Sequence, residues 1–415
     1  MGFDNFQESK LDSGVLVLSH GMPAAQTVAL GIFIDVGSRD ELSHVAGIAH
    51  ALEHMMFKGT THLDVHKLSQ RLDNLGGNAN AYTSRERTCF HLQVLHEDWQ
   101  EALKLLLDMV QNPAIPDEEW QREREVILSE MAMVEDTPDE WMFDQHMQAM
   151  FPDSAFGAST LGTRESILSM HVDDLRDYLH QHYQPPRLLV SAAGRIEHAE
   201  LVDLLQAYPW KGKSVALVRE CPIAATGVQY LERSTEQVQI ALSWPGISAA
   251  SAERPLAWVA NQLLGVGMSS SLFREVREKR GLVYGIGSHL STYTDLGIWS
   301  VSCATDPKLL APCLQVLQET LTGYVDELSD ELLMRAKRQL EVQLRMGMDS
   351  VEGYMLYLSG RFDEPVLHSQ AYWVALIQEV TVIDLRVWVA KHLAAEPMWT
   401  LLGPKKALQS ARNIL

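Results

Sequence analysis

The second half of this 415-residue chain repeats features of the first half, and this internal repeat is the strongest constraint on the fold. Residues 117–133 resemble residues 330–346, and residues 45–54 resemble residues 256–265. Each similarity is weak by itself, but both pairs are separated by nearly the same distance along the chain. Similar segments at a fixed offset indicate a repeated structural unit. The sequence therefore predicts a duplicated α/β domain, and the chain is long enough to form a core in each copy.

Residues 46–59 predict a short amphipathic helix with an unusual polar face. The segment contains no proline, is rich in Ala, Leu and Met, and ends at Lys58 and Gly59, as helices often do. At about 100° per residue, its apolar residues share one face. These residues are Ile48, Leu52, Met55 and Met56. His50, Glu53 and His54 lie on the opposite face, so two imidazoles and a carboxylate are expected to project together.

The spacing of these three polar side chains suits a catalytic metal ion. Two histidines at positions i and i+4 of a helix can bind one Zn²⁺ at roughly 2.0–2.1 Å and leave positions for a third ligand and a water. Glu53 is adjacent to His54, so it is poorly placed as the third ligand and well placed beside that water. The pattern His-x-x-Glu-His is that of the inverted zincins. A solvated polar helix face would have the same pattern.

The second copy of the repeat lacks all three of these groups. In the order of His50, Glu53 and His54, the aligned residues of the second copy are Asn261, Leu264 and Gly265. The apolar residues around them are retained. Metal chemistry is therefore expected in the first copy only.

Residues 116–135 predict a second helix that carries candidates for the third ligand. Pro116 and Asp117 form a favourable helix start, and Glu123 and Glu130 lie two turns apart on one face. A core face is expected from the apolar residues Val126, Ile127, Met131 and Val134. A glutamate from this helix would complete a His₂Glu site with one open position, which is the catalytic arrangement. The spacing alone does not decide which glutamate binds, and Glu-rich helices are often simply solvated.

These segments, together with two others, resemble the M16 metallopeptidases, the family of pitrilysin, insulin-degrading enzyme and mitochondrial processing peptidase. The resemblance covers essentially the whole chain and is strongest in residues 47–60, 76–83, 123–130 and 272–284. The chain has the short, two-domain length of the processing-peptidase subunits. The resemblance implies an α/β (α+β) fold of two duplicated domains, each with a mostly antiparallel sheet flanked by helices.

Mapped residue by residue, the resemblance also implies a metal centre. It makes His50, His54 and Glu130 the ligands of one zinc ion per chain. It makes Glu53 the general base that activates water. Glu123 would be a supporting carboxylate that contacts a ligand and not the metal.

Two sets of substrate contacts follow from the same resemblance. Asn80, Ala81 and Tyr82 match an edge strand of the family, to which an extended peptide adds as a further strand. Such pairing satisfies free backbone groups and aligns the scissile bond without reading its sequence. Arg277 and Tyr284 match the family's pair that holds peptide carbonyls near the cleaved bond. Without the resemblance, Asn80, Ala81 and Tyr82 also fit a tight loop. Arg277 would then be a solvated surface residue, and Tyr284 a core residue.

Domain boundaries are predicted from turn-forming residues in the middle of the chain. We predict a catalytic domain over residues 1–210, a linker over 211–226 that contains Gly212 and Pro222, and a homologous domain over 227–415. Within the first domain, helices are expected at residues 99–111 and 172–182, and residues 136–163 are expected to be irregular. The second domain departs from the family at Ser271, where a basic residue is usual.

The composition limits the partners and the cellular setting. A formal charge of −20 argues against a nucleic-acid partner, since no basic patch would release counterions. No apolar run approaches the roughly 18 residues of a membrane span. The first residues resemble neither a signal peptide nor an Arg-rich presequence, and the four cysteines lack metal or disulfide spacing. We therefore expect a cytoplasmic protein.

We predict a zinc-dependent endopeptidase or processing peptidase that cleaves peptides or short unfolded polypeptides. Active family members enclose a chamber with four such domains, so this chain is expected to form a homodimer or a heterodimer with a related subunit. One alternative is a non-catalytic subunit of the same fold, against which the intact set of metal residues argues. Another is a di-iron protein suggested by Glu41 and His44, which would need the paired helices of a bundle.

Overall fold

The structure, a computed structural model, describes residues 5–210, 212 and 217–415. The chain forms two compact units, each assembled from separate segments. Unit 1 comprises Met1–Met133, Ser154–Glu220 and Gly347–Leu367, and unit 2 comprises Val134–Asp153, Cys221–Met346 and His368–Leu415. None of the helices in the described ranges has the length and apolar character needed to cross a membrane.

Strands and helices alternate along both halves of the chain. The strands are β1 (Phe6–Lys10), β2 (Leu16–Gly21), β3 (Thr27–Ile34), β4 (Asn78–Thr83), β5 (Thr88–Leu95), β6 (Leu188–Gly194), β7 (Gly227–Glu232), β8 (Val238–Pro245), β9 (Val283–Thr292), β10 (Gly297–Thr305) and β11 (Met398–Gly403). The helices are α1 (Ile48–Met56), α2 (Val65–Asn74), α3 (Trp99–Gln111), α4 (Asp117–Asp136), α5 (Pro138–Met150), α6 (Arg164–Ser169), α7 (Val172–His182), α8 (His198–Ala207), α9 (Arg254–Gly265), α10 (Leu310–Glu327), α11 (Asp330–Met346), α12 (Val351–Leu358), α13 (Gln370–Glu379), α14 (Val382–Leu393) and α15 (Lys405–Ala411). A π-helical segment spans Phe273–Glu278.

Unit 1 contains a mixed, mostly antiparallel sheet with the strand order β1-β2-β6-β3-β5-β4. Strands β2 and β6 run parallel, and the other neighbouring strands run antiparallel. β3 reads Thr-Val-Ala-Leu-Gly-Ile-Phe-Ile and is almost completely buried, as expected of a strand that is covered on both faces. β4 lies at the edge of the sheet and pairs only with β5.

Helices cover both faces of this sheet because successive residues of β3 point to opposite sides. On one face, Ile32 belongs to a core that also contains Leu52 of α1 and Leu106 of α3. On the other face, Phe33 packs in a separate core with Met355 of α12. This second face is therefore closed by a helix that is remote in sequence from the strands it covers.

Unit 2 repeats this plan with the strand order β7-β11-β8-β10-β9. Strands β7 and β11 run parallel, and the other neighbours run antiparallel. The order corresponds to β2-β6-β3-β5-β4 of unit 1, which confirms the predicted duplicated α/β architecture. One core contains Leu242 of β8, Leu264 of α9 and Leu317 of α10. On the opposite face, Met142 of α5 packs against Ala241.

The expectation that residues 136–163 are irregular is wrong for the first part of this segment. Pro138–Met150 form α5, which begins with proline in the first turn, a favoured position. Its apolar residues are mixed with Asp, Glu and Gln and give no clear stripe in the sequence. Packing on the sheet of unit 2 stabilises this helix, and such tertiary stabilisation leaves little trace in a local pattern.

The part of the predicted linker that belongs to unit 1 contains a buried arginine, Arg219. Residues 217–226 form neither helix nor strand, while residues 211 and 213–216 of the predicted linker lie outside the described residues. The Arg219 guanidinium donates to both carboxylate oxygens of Asp40 at 2.8 Å and to Asp35 at 3.0 Å. Because its side chain is only 10% exposed, this paired charge holds the backbone around Arg219 in place.

Helix α5 places a histidine inside unit 2. His146 is 1% exposed, with Nδ1 at 2.9 Å from Thr400 Oγ1 and Nε2 at 2.7 Å from Ser243 Oγ. Hydroxyl groups can donate or accept, so both contacts suit a neutral imidazole with one donor and one acceptor nitrogen. Burial lowers the pKa of His146 to about 4. The docking of α5 on the sheet therefore requires an uncharged histidine.

The burial of a neutral His146 predicts that acid lowers the free energy of unfolding of unit 2. In the unfolded chain, His146 takes up a proton below its ordinary pKa of about 6.5, whereas the folded state resists protonation until about pH 4. The stabilisation is therefore complete above pH 6.5 and falls as the pH falls toward 4, with a loss of about 2 kcal/mol between pH 7.5 and pH 5. Urea unfolding of the parent and of His146→Gln at both pH values measures this contribution, because other histidines contribute equally to both proteins. An identical pH dependence in the two proteins would contradict the prediction.

Candidate metal centre

Helix α1 is anchored at its N-terminus by a buried carboxylate. Glu41 Oε2 accepts a hydrogen bond from the Gly47 backbone N–H at 2.6 Å, and Oε1 accepts one from Ala49 at 2.8 Å. Burial raises the pKa of Glu41 to about 8 despite these two bonds. Gly47 has a φ of 89°, a left-handed conformation that suits glycine. Glu41 therefore caps α1. His44 is exposed and lies in a separate turn. Glu41 and His44 therefore do not lie on the paired helices that a di-iron site needs.

The polar face of α1 meets α4 at three side chains that could hold a metal ion. Glu130 Oε2 lies 3.7 Å from His50 Nε2 and 3.7 Å from His54 Nε2. One donor atom from each of the three residues lies within 4.8 Å of the others, and the described residues hold no other such cluster of three or more His, Cys, Asp or Glu. Ligand atoms at about 2.0–2.1 Å from a tetrahedral zinc ion lie roughly 3.4 Å apart. The three residues therefore fit one zinc ion with little adjustment.

The electrostatic state of His50 also suits a metal ligand. Burial, reinforced by the neighbouring His54, lowers the pKa of His50 to about 4. The imidazole is therefore neutral near pH 7 and keeps a lone pair for coordination, which a protonated ring would lack. His50 Nε2 faces Glu130, so this nitrogen is the one placed to coordinate.

A buried carboxylate orients the second histidine. His54 Nδ1 lies 2.9 Å from Glu123 Oε2, and Lys58 Nζ lies 2.7 Å from the other oxygen of the same carboxylate. Burial raises the pKa of Glu123, but the bonds from Lys58 and His54 outweigh it and hold the pKa below its ordinary value. An ionised Glu123 accepts a hydrogen bond from the His54 Nδ1–H group, which leaves Nε2 free to bind a metal. Glu123 thus contacts His54 and not the donor cluster itself, which is the position that the family resemblance implies for it.

Glu53 lies beside the donor cluster without belonging to it. Its Oε2 accepts a hydrogen bond of 2.5 Å from Thr83 Oγ1, at the end of the edge strand β4. Burial raises the pKa of Glu53 above its ordinary value, against the opposing effect of the Thr83 bond. A carboxylate in this position can exchange protons with a water or substrate at the cluster.

Helix α4 presents its two glutamates differently because the helix is only partly buried. Glu123 is 7% exposed, whereas Glu130 is half-buried and reaches the donor cluster. The core face of α4 is formed by Ile127 and its neighbours, but Val126 is 47% exposed, so the prediction that Val126 belongs to the core is wrong. When a helix has only a weak apolar stripe, tertiary packing decides which of its faces is buried.

The predicted peptide-binding segment lies on the free edge of the unit 1 sheet. Asn80 pairs with His91, Ala81 with Phe90 and Tyr82 with Cys89, all on the β5 side. The Ala81 backbone N–H donates to Asn80 Oδ1 at 2.9 Å. Ala81 packs against the core. This segment is therefore a strand and not the loop that the residues alone also allowed.

The predicted clamp residues lie together in unit 2. Arg277 belongs to the π-helical segment Phe273–Glu278, and its guanidinium carbon lies 4.5 Å from the Phe273 ring centre and 5.4 Å from that of Tyr284. Tyr284 is 86% exposed, so it is not a core residue. Ser271 donates to Glu327 Oε2 at 2.8 Å and thus supports a local ion-pair network.

The second copy has no potential zinc ligands at the positions aligned with His50, Glu53 and His54. Asn261 Oδ1 accepts a hydrogen bond of 3.0 Å from Trp299 Nε1, a fully buried indole. Leu264 is buried in the core of unit 2. A side chain at Gly265 would meet the Ser288 backbone nitrogen at 2.3 Å. The positions of the first-copy metal groups are therefore used for packing.

Sequence reasoning missed two residues that contact the centre, Lys58 and Thr83. Lys58 follows His54 at i+4, just beyond the end of α1, and this spacing is a signal for proximity. Thr83 has no comparable local signal, because its contact with Glu53 joins a strand to a helix 30 residues earlier.

Both halves of the chain match family models. Residues 16–164 match the insulinase (peptidase family M16) model, and residues 169–340 match the peptidase M16 inactive domain. An uncharacterized zinc protease of Streptomyces coelicolor is 31% identical over 431 residues, which cover 99% of this chain and 92% of that protein. The uncharacterized zinc protease YmxG of Bacillus subtilis is 34% identical over 347 residues, 83% of this chain and 84% of that protein.

Solved structures have the same fold. A peptidase M16 inactive domain from Pseudomonas fluorescens superposes with a TM-score of 0.89 at 21% identity, over 97% of this chain and 98% of that one. A protease from Helicobacter pylori superposes with a TM-score of 0.88 at 18% identity, over 96% of this chain and 99% of that one. With family matches in both halves and relatives above 30% identity over most of its length, this chain belongs to the insulinase family of peptidases, family M16.

Proposed function

We propose that this protein is a zinc-dependent endopeptidase that cleaves peptides or short unfolded polypeptides. The observation that carries the proposal is the convergence of His50, His54 and Glu130 on one point, with Glu53 beside it. Three protein ligands and one open position are the catalytic form of a zinc site. The zinc proteases among the relatives agree with this chemistry.

Each residue of the centre has a distinct role in this proposal. A bound zinc ion would lower the pKa of a water to about 7 and polarise the peptide carbonyl. Glu53 accepts the proton of the attacking water at Oε1 and delivers it to the nitrogen of the leaving amine. Glu53 Oε2 is engaged by Thr83, so Oε1 is the oxygen available for this transfer. Glu123 keeps His54 in the tautomer that coordinates through Nε2.

The edge strand β4 is the proposed peptide-binding element. An extended substrate would pair with the free edge at Asn80, Ala81 and Tyr82 and be held mainly by its backbone. The Ala81 N–H is already satisfied by Asn80 Oδ1, so pairing exchanges one hydrogen bond for another and exposes no unsatisfied group. Backbone recognition of this kind accepts many sequences.

Arg277 and Tyr284 are proposed to hold substrate carbonyls during cleavage. A guanidinium and a phenol are both strong donors, and such donors stabilise the oxyanion that develops in amide hydrolysis. Tyr284 is exposed and stacks near Arg277, so both groups are available to a ligand. We further propose that the active form is a dimer, either of two copies or of this chain with a related subunit. A non-catalytic subunit would have no use for the complete set of His50, Glu53, His54 and Glu130.

Zinc-loaded protein should therefore cut a diverse peptide library at internal bonds, with cut sites read by mass spectrometry. A chelator should abolish the cutting, and added zinc should restore it, because the ligands are side chains of the folded protein. Persistent cutting after the chelator has removed all metal would exclude the proposal. Absence of any cut by the zinc-loaded protein, both alone and together with a related subunit, would also exclude it and would favour the non-catalytic alternative.

A further inference from the structure

The proposed general base is held by a strand and not by its own helix. Among the described residues, the hydrogen bond to the Glu53 carboxylate comes from Thr83 Oγ1, at 2.5 Å. Thr83 is the last residue of β4 and follows directly on the proposed peptide-binding residues Asn80, Ala81 and Tyr82. The strand that would receive the substrate therefore also contacts the group that would activate water.

A fixed donor matters for a glutamate because the torsion that rotates its carboxylate plane is broad and has no strong preference of its own. A carboxylate without a partner would sample many orientations, and only some of them direct a lone pair at the reacting water. Thr83 can limit this freedom. Its β-branched side chain has restricted rotamers, and its backbone is fixed by pairing with Thr88. The hydroxyl is thus a rigid donor to one oxygen and leaves the other free.

We propose that Thr83 is a positioning residue whose hydroxyl fixes the Glu53 carboxylate in the orientation needed for proton transfer. This inference rests on the proposed function, since it assigns a role within the same site. Thr83 touches neither the metal ligands nor the reacting atoms and acts through Glu53. Because Thr83 also terminates the edge strand, substrate pairing and base orientation share one rigid element.

The test compares Thr83→Val with Thr83→Ser. Valine keeps the size and branching of threonine but removes the hydroxyl, whereas serine keeps the hydroxyl and removes the methyl group. Thr292→Val is a matched control, because Thr292 ends β9, the edge strand of the second sheet, and is exposed. The probe is an internally quenched form of the library peptide that the parent protein cuts fastest. Zinc per chain, melting temperature, kcat and KM are measured for all four proteins.

Thr83→Val should lower kcat about tenfold or more, since small errors in the orientation of a catalytic group are costly. Its KM, zinc content and melting temperature should stay close to those of the parent. Thr83→Ser should recover most of kcat, and Thr292→Val should match the parent. A parental kcat in Thr83→Val would overturn the inference, and so would an equal loss in Thr83→Ser, which would implicate the methyl group. A change in KM alone would assign Thr83 to substrate pairing instead.

Failure of this inference can be told apart from failure of the proposed function. If Glu53→Gln is inactive and Thr83→Val is fully active, Glu53 is the base and needs no help from Thr83. If Glu53→Gln cuts the same peptide at the parental rate, the proposed base itself is wrong.

Discussion

Replacing Glu53 with glutamine should abolish peptide cleavage while the protein keeps one zinc ion per chain. Glutamine has the shape of glutamate and can accept the Thr83 hydroxyl through its amide oxygen, so the fold should not change. Its amide cannot take a proton from water at neutral pH. Loss of a positioned general base typically lowers the rate about 10²- to 10⁴-fold. Zinc should remain, because Glu53 lies outside the cluster formed by His50, His54 and Glu130.

Three measurements check this expectation: kcat on the library peptide, zinc by elemental analysis, and the melting temperature. Glu125→Gln is the matched control, since Glu125 is an exposed glutamate on α4, the helix that carries Glu130. The control should behave like the parent protein in all three measurements. If Glu53→Gln cleaves the peptide at the parental rate, Glu53 is not the general base. If Glu53→Gln loses zinc, Glu53 is a metal ligand.

Replacing His50 with alanine should remove both zinc and activity. His50 supplies one of only three donor atoms, and a two-donor site no longer encloses the ion. The loss of zinc affinity should exceed the roughly 10- to 100-fold that removal of a supporting partner costs. The apo fold should survive, because His50 Nδ1 has no hydrogen-bond partner among the described residues, and Glu130, which faces His50 Nε2, still faces His54.

Thermal unfolding with and without zinc gives a readout that does not depend on activity. Zinc at 100 times its dissociation constant should stabilise the parent protein by about 2.7 kcal/mol and have almost no effect on His50→Ala. His44→Ala is the control, since His44 is exposed and lies outside the cluster. Equal stabilisation of the parent and His50→Ala by zinc would show that the ion binds elsewhere.

Much of the fold was accessible from the sequence because it is encoded in local patterns. The apolar periodicity predicts α3 and α7 over the residues that form them, Trp99–Gln111 and Val172–His182. The long apolar run of β3 predicts a strand covered on both faces, and the cores on its two sides confirm this. Nearly equal offsets between repeated segments predict two related domains, and the two sheets share one strand order. Each of these signals lies within a single element or in its repetition.

Helices α5 and α12 are not encoded in local patterns of this kind. Each packs on a sheet formed by a distant part of the chain: α5 belongs to unit 2, and α12 belongs to unit 1. Their stability comes mainly from that packing, and a single sequence carries no record of which remote surface a helix will cover. The expectation of an irregular segment at residues 136–163 was wrong for Pro138–Met150 for this reason, whereas residues 151–163 form neither helix nor strand.

The candidate site likewise has features that the sequence predicts and features that only the tertiary structure shows. The sequence by itself determined that His50, Glu53 and His54 share one face of a helix, because a spacing of three or four residues fixes their directions whatever surrounds them. It also determined that the second copy has no such groups. The spacing left Glu123 and Glu130 open and the family resemblance implied Glu130, whereas the tertiary structure places Glu123 against His54 Nδ1 and Glu130 facing both imidazoles. Only the tertiary structure brought Thr83 to Glu53, because that contact depends on how a strand packs against a helix.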